Sequence, residues 1–166
     1  MKRVFLFFAC ALISLYLFSC SSYGGGSAED ILYKICDELE LPSGGTYLAS
    51  AEEGSERYFS DGLIEVLYGK DAKEECFSLI EDHAVYLSGF AAPYEVAVFK
   101  CFSRSDTDTV ASMCLERADM LAVVLRDTDF ASLSQNAIVQ IRGRFVIRVV
   151  ADDPEIAKDI VMKAMR

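Results

Sequence analysis

The chain has 166 residues, room for one domain of ordinary size and little more. It carries 26 acidic against 16 basic residues, and the formal charge of −10 repels phosphate backbones, which excludes general nucleic-acid binding. Apolar residues make up 52% and charged residues 25%, too apolar for a disordered chain and suited to a packed globule.

Met1-Lys2-Arg3 is a short cationic start, and Val4 to Phe18 is apolar apart from Ser14 and the hydroxyl of Tyr16. This is the plan of a secretory signal peptide, and a run of about 15 residues falls short of the roughly 20 that span a bilayer permanently. Leu17-Phe18-Ser19-Cys20 resembles a bacterial lipobox, with Phe18 standing where a smaller residue is usual. The resemblance implies removal of residues 1–19, a diacylglycerol on the Cys20 thiol and a further acyl chain, palmitate being one such, on its amine. An ordinary secretory signal followed by a chance cysteine is the alternative. Each buried CH₂ contributes about 0.8 kcal/mol, so two or more chains hold a protein at a membrane where one does not. Residues 20–28 then form the lipidated cysteine and a Gly/Ser tether, SSYGGGSA, which lacks the Lys-Ser/Thr ending of a phosphate loop. The expected mature chain has 147 residues and a charge of −12, with one domain over residues 29–166.

Ser27 is placed to cap a helix in which Ile31, Leu32, Ile35, Cys36 and Leu39 share a face, ending at Pro42-Ser43-Gly44-Gly45. Thr46 to Ser50 reads as a short strand before a polar loop. Ser60 caps a second helix with Leu63, Ile64, Leu67 and Tyr68 on one side and Gly69 as its stop, and Ala72 to Ile80 reads as a third. Ala84 to Ser88 and Tyr94 to Phe102 are β-branched and aromatic runs, hence strands. Ser105 and Asp108 resemble a capping box for a long helix to about Arg126, with Val110, Met113, Cys114, Ala118, Leu121, Val124 and Leu125 on its apolar stripe. Asn136 to Arg142 and Arg144 to Ala151 form a hairpin turning at Gly143, and Asp153-Pro154 opens a last helix.

The order β-β-α-β-β-α predicts an α+β domain: an antiparallel sheet of about four strands in two ββα units, helices on one face, and N-terminal helices before it. In the last hairpin Ala137, Val139 and Ile141 are read as sharing a buried face with Phe145, Ile147 and Val149, leaving Gln140, Arg142, Arg144 and Arg148 on a wetter one.

Leu67-Tyr68-Gly69, Ala92-Pro93-Tyr94-Glu95-Val96-Ala97-Val98-Phe99-Lys100 and Cys114-Leu115-Glu116-Arg117 resemble a bacterial family of small extracytoplasmic lipoproteins catalogued as a domain of unknown function. The likeness covers roughly Ile31 to Met162. It implies an anchored α+β domain and transfers no activity and no functional residue.

No catalytic constellation is legible. His83 is the single histidine, which excludes multi-histidine metal sites, and no Cys-x-x-Cys or His/Cys spacing suits zinc, so neither a metal nor a cofactor is expected. Cys36, Cys76, Cys101 and Cys114 permit three complete disulfide pairings in an oxidising compartment, yet at least three occupy apolar periodic positions, which reads as buried thiols. Residues 28–82 hold 15 acids and 4 bases, a net of −11, whereas residues 83–166 hold 11 and 10, a net of −1. Glu52, Glu53, Glu56 and Asp61 form a solvated acidic surface, without the Asp/Asn-rich pattern of a calcium loop. Arg142, Arg144 and Arg148 lie in a stretch free of acids and are candidates to receive a carboxylate, a phosphate or a protein partner. The expectation is a membrane-anchored, extracytoplasmic lipoprotein of the cell envelope, held through Cys20 and binding an envelope ligand or protein rather than catalysing a reaction. An envelope hydrolase or transferase using carboxylates such as Glu95 and Asp82 is one alternative, and a structural or assembly subunit is another.

Overall fold

The computed structural model describes residues 26–89 and 93–166; the expected leader, Cys20 and most of the expected tether lie outside the described residues. In chain order the elements are α1 (Ala28–Leu39), β1 (Gly44–Leu48), α2 (Asp61–Tyr68), α3 (Ala72–Glu75), β2 (Ile80–Ser88), β3 (Glu95–Cys101), α4 (Thr107–Leu125), α5 (Ala131–Gln135), β4 (Ile138–Arg142), β5 (Phe145–Val150) and α6 (Pro154–Ala164). Short 3₁₀ turns at Phe77–Leu79 and Arg104–Asp106 precede β2 and α4. The strands form one antiparallel sheet in the order β1-β2-β3-β5-β4. The domain is α+β, and β1 brings the expected four strands to five.

Local chemistry explains the boundaries. Ser27 and Asp30 make a reciprocal capping box at the start of α1, and the helix ends when Glu40 takes a left-handed conformation at φ 50°, before Pro42 and the glycines expected to stop it. Gly44 and Gly45 instead enter β1, where a Cβ on Gly44 would lie 2.3 Å from the Leu87 carbonyl oxygen. The box before α4 is Ser103 with Asp106, closing the 3₁₀ turn two residues earlier than expected. Asp153 caps α6 through the amides of Glu155 and Ile156, with Pro154 at the first helical position as expected.

Alternation along the strands then builds two cores. Ala84, Tyr86, Val96, Val98, Phe145, Ile147 and Val149 face α1 and α6, whose Ile31, Leu32, Ile35, Ala157, Ile160 and Val161 cover them. Val85, Ala97, Phe99, Cys101 and Val146 face the other way, under α2, α3 and α4. The expectation of helices on one face is corrected: they cover both, because β3 and β5 are central strands whose two faces are both apolar enough to need a cover.

The last hairpin shows why the face assignment slipped. Its loop has two residues, Gly143 at φ 62° and Arg144, so Arg142 lies opposite Phe145, and Val139 opposite Arg148. A two-residue loop pairs odd with even positions. Ile138, Gln140 and Arg142 therefore share the face of Phe145, Ile147 and Val149, while Val139 and Ile141 share that of Val146 and Arg148. The expected wet face is buried along β5 and covered by α4, and Arg148 has no exposed surface. On α4 itself Val124, assigned to the apolar stripe, is 72% exposed.

Candidate functional site

The two buried charged groups lie between the sheet and α2/α4. Glu95, the first residue of β3, is 2% exposed, and Arg148 of β5 is 0% exposed. Ala97 pairs with Arg148 and Glu95 with Val150, so the two charged side chains are diagonal neighbours on one face. Arg148 Nη1 touches Glu95 Oε1 as an ion pair outside hydrogen-bond geometry, and Arg148 Nε and Nη2 find no hydrogen-bond partner among the described residues. From above, Arg117 of α4 donates to Glu95 Oε2 through Nε and Nη2, both at 3.4 Å. Tyr68, the last residue of α2, donates its hydroxyl to Glu95 Oε1 at 3.4 Å. Gly69, at φ 97°, ends α2 there and so positions the phenol.

One carboxylate thus serves two guanidiniums and a phenol. Burial pushes the Tyr68 hydroxyl well above its ordinary range, and the Glu95 charge adds to this, so Tyr68 is a permanent donor at neutral pH. For Arg148 burial opposes the charge, but the adjacent Glu95 carboxylate outweighs it and the guanidinium stays protonated. Cys114, on the same side of α4, is fully buried and its thiol is pushed up by desolvation, so it packs as a small hydrophobe and is no nucleophile. Arg117, its side chain 15% exposed, connects the cluster to the surface. A clamped carboxylate with so little access to water ties α2 and α4 to the sheet.

The sequence-predicted residues separate. Arg142 sits on the α1/α6 face and donates to Gln140 Oε1 at 3.4 Å. Arg144, in the turn, donates to the carbonyls of Cys101 and Phe102 at 3.1 and 3.0 Å and pairs with Glu81. Arg148 is interior. They share no open face, so the three-arginine anion surface is corrected to three separate environments. Asp82 and Glu95, the carboxylates of the hydrolase alternative, lie on opposite faces of the sheet: Asp82 accepts the Ala28 amide at 2.8 Å at the start of α1. They cannot bracket one bond.

His83 lies on the α2/α4 side with its ring between Phe59 and Phe77, at centroid distances of 5.5 and 5.7 Å. Its Nε2 is buried without a partner, and burial lowers its pKa to about 4 against a weaker opposing pull from Asp82. It is a neutral core residue. Cys36, Cys76, Cys101 and Cys114 are free thiols. Among the described residues no group of three metal-ligating side chains converges, and no helix is long and apolar enough to cross a membrane. The acidic loop after β1 contributes Glu52 and Glu56 to a groove of about 520 Å³, which Glu29 and Arg57 also line; Arg57 bridges to Glu29 at 3.0 Å and to the Tyr33 hydroxyl at 2.7 Å.

Sequence reasoning missed Arg117 and Tyr68 as partners of Glu95. A signal was present: Glu95 and Arg148 are opposite charges embedded in otherwise apolar strands, and an ionic group at such a position needs a partner. Compared with known proteins, the chain matches no family model, no curated protein and no solved structure.

Proposed function

We propose that the protein is a lipid-anchored lipoprotein of the cell envelope whose α+β domain is a non-enzymatic binding module for an envelope ligand or protein. The observation that carries this reading is the leader ending in Leu17-Phe18-Ser19-Cys20, followed by a tether that runs directly into the capped start of α1 at Ala28. Seven residues separate Cys20 from α1, and a Gly-rich chain of that length has a root-mean-square reach of about 15 Å, so the domain is held near its membrane. The arrangement of the buried side chains supports binding over catalysis: Glu95 is clamped, Asp82 caps a helix on the other face, and His83 is sequestered. The stretches that resemble the small-lipoprotein family supply Tyr68, Glu95 and Arg117, which meet at one point of the fold.

The test is metabolic labelling with a clickable palmitate analogue in a bacterial host. The wild-type chain is expected to take up label and sediment with membranes, and Cys20→Ala to lose both. Wild-type protein that stays unlabelled and soluble would sink the anchor.

A further inference from the structure

The tether ends at a defined place in the fold. Ala28 donates its amide to Asp82, Asp82 pairs with Lys100, and Lys100 lies opposite Phe145, the strand residue next to the Gly143-Arg144 turn. One end of the sheet therefore gathers the start of α1, the β4–β5 turn and the segment joining β3 to α4. At full extension seven residues span about 25 Å, so this end cannot move farther than that from an acylated Cys20.

The same end presents an unusual surface. Phe102 follows β3 and is 59% exposed, although its amide is fixed to the Leu79 carbonyl at 3.0 Å, so the ring is displayed from an ordered backbone. Arg104, two residues on, is exposed, and the half-buried Arg142 hydrogen-bonds the neutral Gln140; neither has an acidic partner among the described residues. Of the acids at this end, Glu81 is ion-paired with Lys100 and Arg144 and Glu29 with Arg57, while Asp82, Asp106 and Asp30 keep their charge and accept from backbone amides. An exposed aromatic ring at the same end of the sheet as two arginines without acidic partners matches the headgroup–acyl boundary, which accepts an apolar ring and offers phosphates to guanidiniums.

We propose that this tethered end is a membrane-facing surface, with Phe102 entering the bilayer interface and Arg104 and Arg142 meeting lipid phosphates. The inference rests on the anchor at Cys20. It fixes the orientation of the domain, with the C-terminal end of α4 directed away from the membrane.

The chain contains no tryptophan, so Phe102→Trp introduces a single reporter. The full acylated protein would be placed in vesicles of phosphatidylcholine with or without phosphatidylglycerol, prepared with and without brominated acyl chains. Interfacial burial lies about 5–10 Å below the headgroups, and the Phe102→Trp emission should shift to the blue and lose about half its intensity to brominated lipid. The control, Val124→Trp, reports from a 72% exposed position near the end of α4 and should stay water-like. Reversing Arg104 and Arg142 to Glu should reduce the shift most where phosphatidylglycerol is present. Flotation separates the two readings. Protein that fails to float with vesicles defeats the anchor, whereas protein that floats while Phe102→Trp remains unquenched, or is quenched no more than Val124→Trp, defeats the orientation.

Discussion

The two faces of the sheet are built from the same strands and solve different problems. Beneath α1 and α6 the core is aliphatic, with Tyr86 reaching the Pro42 carbonyl and Asp82 held at the rim. Beneath α2 and α4 the interior holds Glu95, Arg148, Arg117, Tyr68 and His83 among aromatic rings. The first face tolerates any filling of the right volume, since burial is non-directional. The second demands particular partners, because an unpaired charge in a dry interior costs several kcal/mol. A buried ion pair adds little net stability, and here Glu95 also ties α4 through Arg117 and α2 through Tyr68 to β3.

The largest effect expected from breaking this contrast is at Glu95. Glu95→Ala leaves Arg148 and Arg117 without their counter-charge and should lower unfolding free energy by about 3–5 kcal/mol in a urea titration. Adding Arg148→Met should recover most of that loss, since replacing a whole buried pair with apolar groups is often neutral. If the double variant is less stable than Glu95→Ala, the pair does not carry the penalty assigned to it. On the aliphatic face Leu32→Ala should cost about 2–5 kcal/mol through the cavity it leaves.

A smaller, pH-dependent difference comes from His83. Its folded value of about 4 lies below the ordinary value near 6.5, so the unfolded chain takes up the proton first as pH falls. The associated stability is present in full above about pH 6.5 and is lost as pH falls toward 4, an effect of about 2 kcal/mol once partial exposure of the ring is allowed for. His83→Phe should flatten this part of the stability–pH curve relative to wild type, and an unchanged slope would show that the ring is not held neutral. Smallest is the rim: Ser27→Ala removes one half of the α1 capping box and should cost about 1 kcal/mol, read as a shift of the urea midpoint.

The helices show how far local signals reach. Ser27, Ser60, Gly69 and Asp153-Pro154 marked starts and stops that the fold uses, because a cap is a bond between residues three or four positions apart. α5 gave no such signal: Phe130, at its cap, makes no side-chain bond, and the helix is held by packing of Leu133 with Leu121, Leu125 and Val150. Val124 was misplaced for a related reason. The 19-residue α4 carries apolar residues around much of its circumference, with Leu115, Val123 and Val124 exposed, so periodicity defines its buried side poorly.

By itself the sequence determined the α+β class, most element positions and the acidic first half, all of which depend on composition or on residues close in the chain. Tertiary structure decided which strands are neighbours, that helices cover both faces, that Arg142, Arg144 and Arg148 part company, and that Tyr68, Glu95, Arg117 and Arg148 meet. Those outcomes depend on hairpin loop parity and on diagonal contacts between strands and helices distant in sequence. A one-residue change of register sends a side chain to the opposite face, and no local pattern records which register the sheet adopts.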